Sequence, residues 1–166
     1  MKSSHQKLKE SEVENIENAR PTISLIGRAI RYLSNRDHSQ FELRKKLLPY
    51  ASSDEELDEV IKKLTDKGYL SNQRFTESFI ASKSKKFGMR KIAQVLQQHQ
   101  LDSEILKTEV AKLKESEPLR CYEIWEKKFG QVTNEPNELA KQVRFLASRG
   151  FSHEIIMGIV RGKQPI

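Results

Sequence analysis

The sequence is poor in the residues that staple, hinge or catalyse. Its 166 residues include one cysteine, Cys121, so neither an internal disulfide framework nor a thiolate-rich zinc site is available. Seven glycines and five prolines are too few for a loop-dominated or low-complexity chain. No apolar run approaches the length of a membrane span. The opening MKSSHQKLKESEVENIENARP has no apolar core segment, so no secretory signal is expected and a cytoplasmic setting is the simplest fit. No window alternates apolar and polar residues, so no strand is expected. Acid is locally missing too: Ser78 to Leu101 contains no Asp or Glu, yet holds Lys83, Lys85, Lys86, Arg90 and Lys91.

Catalytic signatures are also absent. His5, His38, His99 and His153 are scattered without an HExxH pattern, and His38 and His153 read as surface or joint residues. The glycines form no phosphate-cradling loop. The run DEELDE at 54–59 fits a first helical turn, where the macrodipole favours negative charge. We expect no enzyme, no cofactor and no metal.

What remains is helix. Hydrophobic residues are 36% and charged residues 32% of the chain. Their periodicity predicts nine helices, over 23–34, 39–48, 54–66, 71–85, 89–98, 103–114, 118–129, 137–148 and 152–161. Ser39 to Glu42 and Ser53 to Glu56 form capping-box patterns, and Pro118 suits a first helical turn. Ile23, Ile26, Ile30 and Leu33 recur at helical spacing where ordered sequence is expected to begin.

One phrase recurs. LTDKGYLSN at 64–72 returns as LASRGFSH at 146–153, and more weakly as LSNRDHSQ at 33–40 and LQQHQLDS at 96–103. It reads as a joint, with Gly68 and Gly150 as helix caps. Aligning Leu47, Leu96 and Leu146 also brings Leu57, Leu106 and Ile156 into step, then Ile61, Val110 and Val160. KKFG occurs at 85–88 and 127–130, and QVTNEPNE supplies the extra residues of the third copy as a polar loop. The expected fold is therefore all-α: an elongated, curved array of three tandem three-helix, helix-turn-helix-like repeats. The expected division is a polar, mobile arm over 1–21, repeats over 22–68, 69–115 and 116–162, and a tail over 163–166. The rival reading is a compact nine-helix bundle with accidental self-similarity.

Net charge is +7 with pI near 9.5, which suits a polyanionic partner. SKSKKFGMRK at 82–91 is the leading binding stretch, giving Lys83, Lys85, Lys86, Arg90 and Lys91 as contact candidates. Lys127, Lys128, Lys141, Arg144 and Arg149 form a second set towards the C-terminal joint. Solvated lysines answering a helix dipole are the bland alternative. The phenylalanines read as core by their spacing, rather than as stacking platforms for bases.

RDHSQFELRKKL (36–47), GYLSNQRFTESFIASKSKKFG (68–88) and FLASRGFSHEII (145–156) together resemble the bacterial RecX regulatory family. The resemblance runs from about Ile23 to Gly162. It departs at Ser71 and Asn72, where the family usually has acidic residues, and at Met89, where it commonly has proline. The resemblance implies three three-helix repeats and a non-enzymatic, negative modulator of the RecA recombinase. Such a protein binds the RecA–DNA filament and inhibits filament extension, ATPase, strand exchange and coprotease activities, in the setting of DNA repair and the SOS response. RecA and its filament are the expected partners; weak single- or double-stranded DNA binding, a monomer and no membrane association complete the expectation. Two alternatives stay open: a DNA-binding helical protein acting without RecA, and a purely structural adaptor.

Overall fold

A computed structural model describes residues 23–165. Among these residues there are eight α-helices, one 3₁₀ turn at Leu48–Tyr50 and no strand. The helices are α1 (Leu25–Asn35), α2 (Gln40–Leu47), α3 (Asp54–Asp66), α4 (Asn72–Lys83), α5 (Met89–Gln97), α6 (Ser103–Lys128), α7 (Pro136–Ser148) and α8 (His153–Val160). The arm expected over 1–21 lies outside the described residues.

The apolar residues bury in three separate clusters, so there is no single bundle core. Leu25, Ala29, Leu43, Leu47, Leu57, Leu64 and Leu70 make the first. Phe75, Ile92, Leu96, Leu101 and Leu113 make the second. Cys121, Trp125, Leu146, Phe151, Ile156, Ile159 and Val160 make the third. Each cluster gathers residues from three helices, and each fully buried Leu contributes roughly 2 kcal/mol of burial free energy. The aligned leucines Leu47, Leu96 and Leu146 are all completely buried, one per cluster. The tandem arrangement is thus a physical repetition of one core, and the single-bundle rival is excluded.

The expectation of two helices over 103–114 and 118–129 is corrected. They are one helix, α6, of 26 residues, with Pro118 inside it rather than in its first turn. An internal proline removes one backbone hydrogen bond and crowds the preceding turn. The carbonyls just before the one it frees carry side-chain donors: Arg120 Nη2 donates to Leu113 O at 2.9 Å, and Ser116 Oγ donates to Lys112 O at 3.2 Å. Tertiary burial of Glu117, Cys121 and Trp125 holds the helix through the proline. The first half of α6 closes the second core through Leu113, and the second half opens the third through Cys121 and Trp125. The boundary expected at 115/116 therefore falls inside a helix. Of QVTNEPNE, the first five residues lie in the irregular link between α6 and α7, while Pro136, Asn137 and Glu138 open α7.

In α1 the buried positions are Leu25 and Ala29, while Ile23 and Ile30 face outwards. Ile26 and Leu33 pack against the first core as their spacing predicts, so the stripe is widened to take in Leu25 and Ala29 rather than replaced. The capping boxes form only by half. Ser39 Oγ accepts from Glu42 N at 3.0 Å and Ser53 Oγ from Glu56 N at 3.2 Å. The glutamates turn elsewhere: Glu42 pairs with Arg36, and Glu56 accepts from Ser52 N at 2.7 Å.

Candidate functional site

The repeats meet at two seams, and these position the charged side chains. Where the second meets the third, the contact is main chain against main chain. Gly88 N donates to Arg149 O at 2.8 Å, and Arg90 N donates to Gly150 O at 3.2 Å. A Cβ on Gly88 would overlap the Gly150 carbonyl. One on Gly150, whose φ is +86°, would lie 2.6 Å from Lys91 Cβ. Only glycine permits this approach from both sides. Gly88 is also the N-cap of α5 and has no side chain to accept from the helix. Glu117, on α6 and almost wholly buried, does so instead, its Oε1 accepting from Met89 N at 3.0 Å.

This seam joins cations that are far apart in sequence. Arg149 Nη1 donates to Lys86 O at 3.0 Å, and Lys91 Nζ donates to Ser148 O at 3.4 Å. The Phe145 ring carries Arg149 Cζ at 4.5 Å and Lys128 Nζ at 4.9 Å from its centroid. Lys86, Arg90, Lys91, Lys128 and Arg149 therefore belong to one basic seam, not two patches. Lys83 ends α4 with Nζ 5.9 Å from the Phe79 centroid, and Lys85 is exposed in the turn between α4 and α5. Lys127, Lys141 and Arg144 are exposed, and no contact draws them into the seam. Lys141 pairs with Glu138 at 3.3 Å.

The phenylalanines divide. Phe75 and Phe151 are buried as core, whereas Phe79, Phe87, Phe129 and Phe145 are only partly covered. The sequence signal for the seam was the acid-free stretch 78–101. Nothing local in the chain marks Glu117 or Ser148 as part of it.

Where the first repeat meets the second, side chains make the contact. Asp37 accepts from Arg74 Nε at 3.2 Å and from Ser78 Oγ at 2.8 Å. Gln40 N donates to Asn72 Oδ1 at 2.8 Å. Ser39 Oγ lies 2.8 Å from His99 Nδ1, and the His99 ring packs on Phe75 with centroids 4.6 Å apart. Burial pushes His99 below the usual imidazole range, so its neutral ring can accept the Ser39 proton. His38, read as a surface or joint residue, is buried at the joint and is shifted the same way for the same reason. Lys46 Nζ, which can only donate, lies 3.1 Å from its Nε2, so Nδ1 carries the proton to Arg36 O at 2.9 Å. A cleft of about 430 Å³ between these repeats is lined by Arg36, Asp37, Phe79, Lys83 and His99, among others. Its acids, Asp37 and Glu42, are both engaged by arginine.

Burial pushes the Cys121 thiol up to about 12, which leaves it an inert core group. Among the described residues no three His, Cys, Asp or Glu groups cluster as metal ligands, and no helix is long and apolar enough to cross a membrane.

Comparison with known proteins gives one consistent result. Three family models match in chain order: RecX, first three-helix domain, over 26–64; second, over 71–108; and third, over 119–160. The chain is 41% identical over 147 residues to the regulatory protein RecX of Ralstonia pickettii, covering 89% of this chain and 92% of that one. It is 38% identical to that of Herminiimonas arsenicoxydans, covering 88% and 97%. Its fold is shared with a crystal structure of RecX from Lactobacillus salivarius at a TM-score of 0.65 and 21% identity, covering 84% of this chain and 94% of that one.

Proposed function

The chain belongs to the RecX family, and on that premise we propose that it is a non-enzymatic, negative modulator of RecA that binds the RecA–DNA filament. In this reading it hinders filament extension, and with it ATP hydrolysis, strand exchange and coprotease activity. The observation that carries the proposal is the ordered match of all three domains, with relatives named regulatory protein RecX covering most of the chain.

The geometry supports it in two ways. An array of three cores presents more surface along one direction than a bundle of equal mass, which suits contact with several filament subunits. The basic seam offers cations from two repeats at once, for an acidic protein face or a phosphate backbone. Binding one filament state more tightly than another shifts the assembly balance by that difference in affinity.

The test is RecA ATPase on single-stranded DNA at saturating ATP, with this protein titrated substoichiometrically beside a DNA-excess control. Inhibition well below one molecule per RecA, surviving excess DNA, is the expected result. Inhibition abolished by spare DNA would favour the second reading, a DNA binder acting without RecA, for which the acid-free stretch 78–101 is the motivating observation. Replacing Lys83, Lys86 and Arg90 together by Glu should weaken inhibition, most at low salt, and leave the helical spectrum unchanged. Full inhibition by that folded variant would remove these residues from the contact.

A further inference from the structure

Two grooves open side by side along the basic seam, with Lys91 between them. The first, about 340 Å³ between α4 and α5, has Phe79 and Phe87 in its walls with Lys83 and Lys91 at its edge. The second, about 660 Å³, crosses the seam and is lined by Arg90, Lys91, Gln94, Gln97 and Ser148, among others. Lys91 lines both, so the two are neighbours that share one wall. No acid lines either groove. Among the described residues Lys83, Arg90 and Lys91 enter no ion pair. In the first groove the cations lie over the rings, Lys91 Nζ 4.7 Å from the Phe87 centroid and Lys83 Nζ 5.9 Å from that of Phe79.

We propose that these two neighbouring grooves form a track for single-stranded nucleic acid, with bases stacking on Phe79 and Phe87 while phosphates meet Lys83, Arg90 and Lys91. The lysines that cover the rings in the free protein swing to the phosphates, and bases replace them on the ring faces. Gln94, Gln97 and Ser148 supply neutral hydrogen bonds to sugar or phosphate oxygens without demanding a particular base. Alternation of aromatic faces and cations suits a strand whose bases are unstacked. A duplex keeps its base faces hidden within the stack and would leave both rings unused. An acidic peptide would satisfy the ammonium groups but not the ring walls. The assignment deepens the function proposed above and rests on it in one respect, that the basic seam is a contact surface.

The experiment is fluorescence anisotropy of the full chain with a twenty-nucleotide oligothymidylate and with an abasic sugar-phosphate oligomer of the same length. The thymidylate should bind about tenfold tighter, the gain expected from stacking on an aromatic side chain. Phe87→Leu, which keeps an apolar side chain against the core, should lose that advantage and bind the abasic oligomer as before. The pair Lys83→Gln and Lys91→Gln should weaken both ligands and reduce the salt slope by about 1.4, from two phosphates at about 0.7 each. Equal binding of the two oligomers by the unmodified chain would overturn the track, as would undiminished thymidylate binding by the lysine pair with an unchanged melting point. Equal oligomer binding together with displacement by polyglutamate would assign the groove to an acidic protein face. The two proposals fail separately. Inhibition of RecA ATPase without base discrimination removes the track alone. Discrimination without inhibition supports the track and removes the regulator.

Discussion

The two seams do the same job with different chemistry. Between the first and second repeats, every named contact ends in a side chain: Asp37, Arg74, Ser78, Asn72, Ser39 and His99. Between the second and third, two glycines let backbones touch, and one helix runs unbroken through both cores. Side-chain seams can be retuned by rotamer changes and by protons, whereas a backbone seam cannot adjust to an added atom. The difference predicts where the molecule resists substitution and where it responds to solution conditions.

The sharpest way to break the comparison is to add a Cβ. Gly150→Ala forces a left-handed alanine against Lys91 and should cost about 3 kcal/mol, with Gly88→Ala close behind. Gly68→Ala is the control: φ is +74° but nothing lies within 4 Å, so about 1 kcal/mol is expected. Urea unfolding of the three variants measures the contrast. Equal losses would mean that the close approach is worth nothing. Next comes Glu117→Ala, which strips the acceptor from a buried amide and should cost about 2 kcal/mol in the same assay.

Acidification should act on the first seam. The folded-state values of His38 and His99 lie below the ordinary 6.5, so the unfolded chain takes up protons first as pH falls. Their contribution is complete above about pH 6.5 and is lost as pH drops from there through the lowered folded values. Urea midpoints should therefore decline below pH 6.5, and a His99→Gln variant should decline less steeply. Parallel slopes would clear His99 of the effect. The smallest expected change is at the pair of Arg74 and Asp37: Asp37→Asn, which keeps an acceptor for Ser78, should cost about 0.5 kcal/mol, less in high salt.

The joints were the most legible part of the fold, for a local reason. In LTDKGYLSN, LQQHQLDS and LASRGFSH a buried leucine is followed four residues later by a positive φ: Gly68 at 74°, Gln100 at 50° and Gly150 at 86°. The weakest copy, LSNRDHSQ, lacks this geometry, since α1 ends on the extended Arg36. Gln100 carries no local mark of this conformation, since glycine is the residue that ordinarily signals it. Pro118 misled because its local preference for a helix start is outweighed by the buried residues around it. The merger of the two basic sets was illegible: Lys86 and Arg149 are 63 residues apart, and no periodicity encodes that meeting.

The long helix α6 also sets a gearing. At 1.5 Å and 100° per residue, one residue inserted near its middle would advance the third repeat slightly and swing it by more than a quarter turn. Gly88 and Gly150 could no longer face each other. The link between α6 and α7 drives no such gear, so length changes there leave the phase of the second and third repeats intact. Deletion and insertion scanning across 110–136 would map the shaft and the slack.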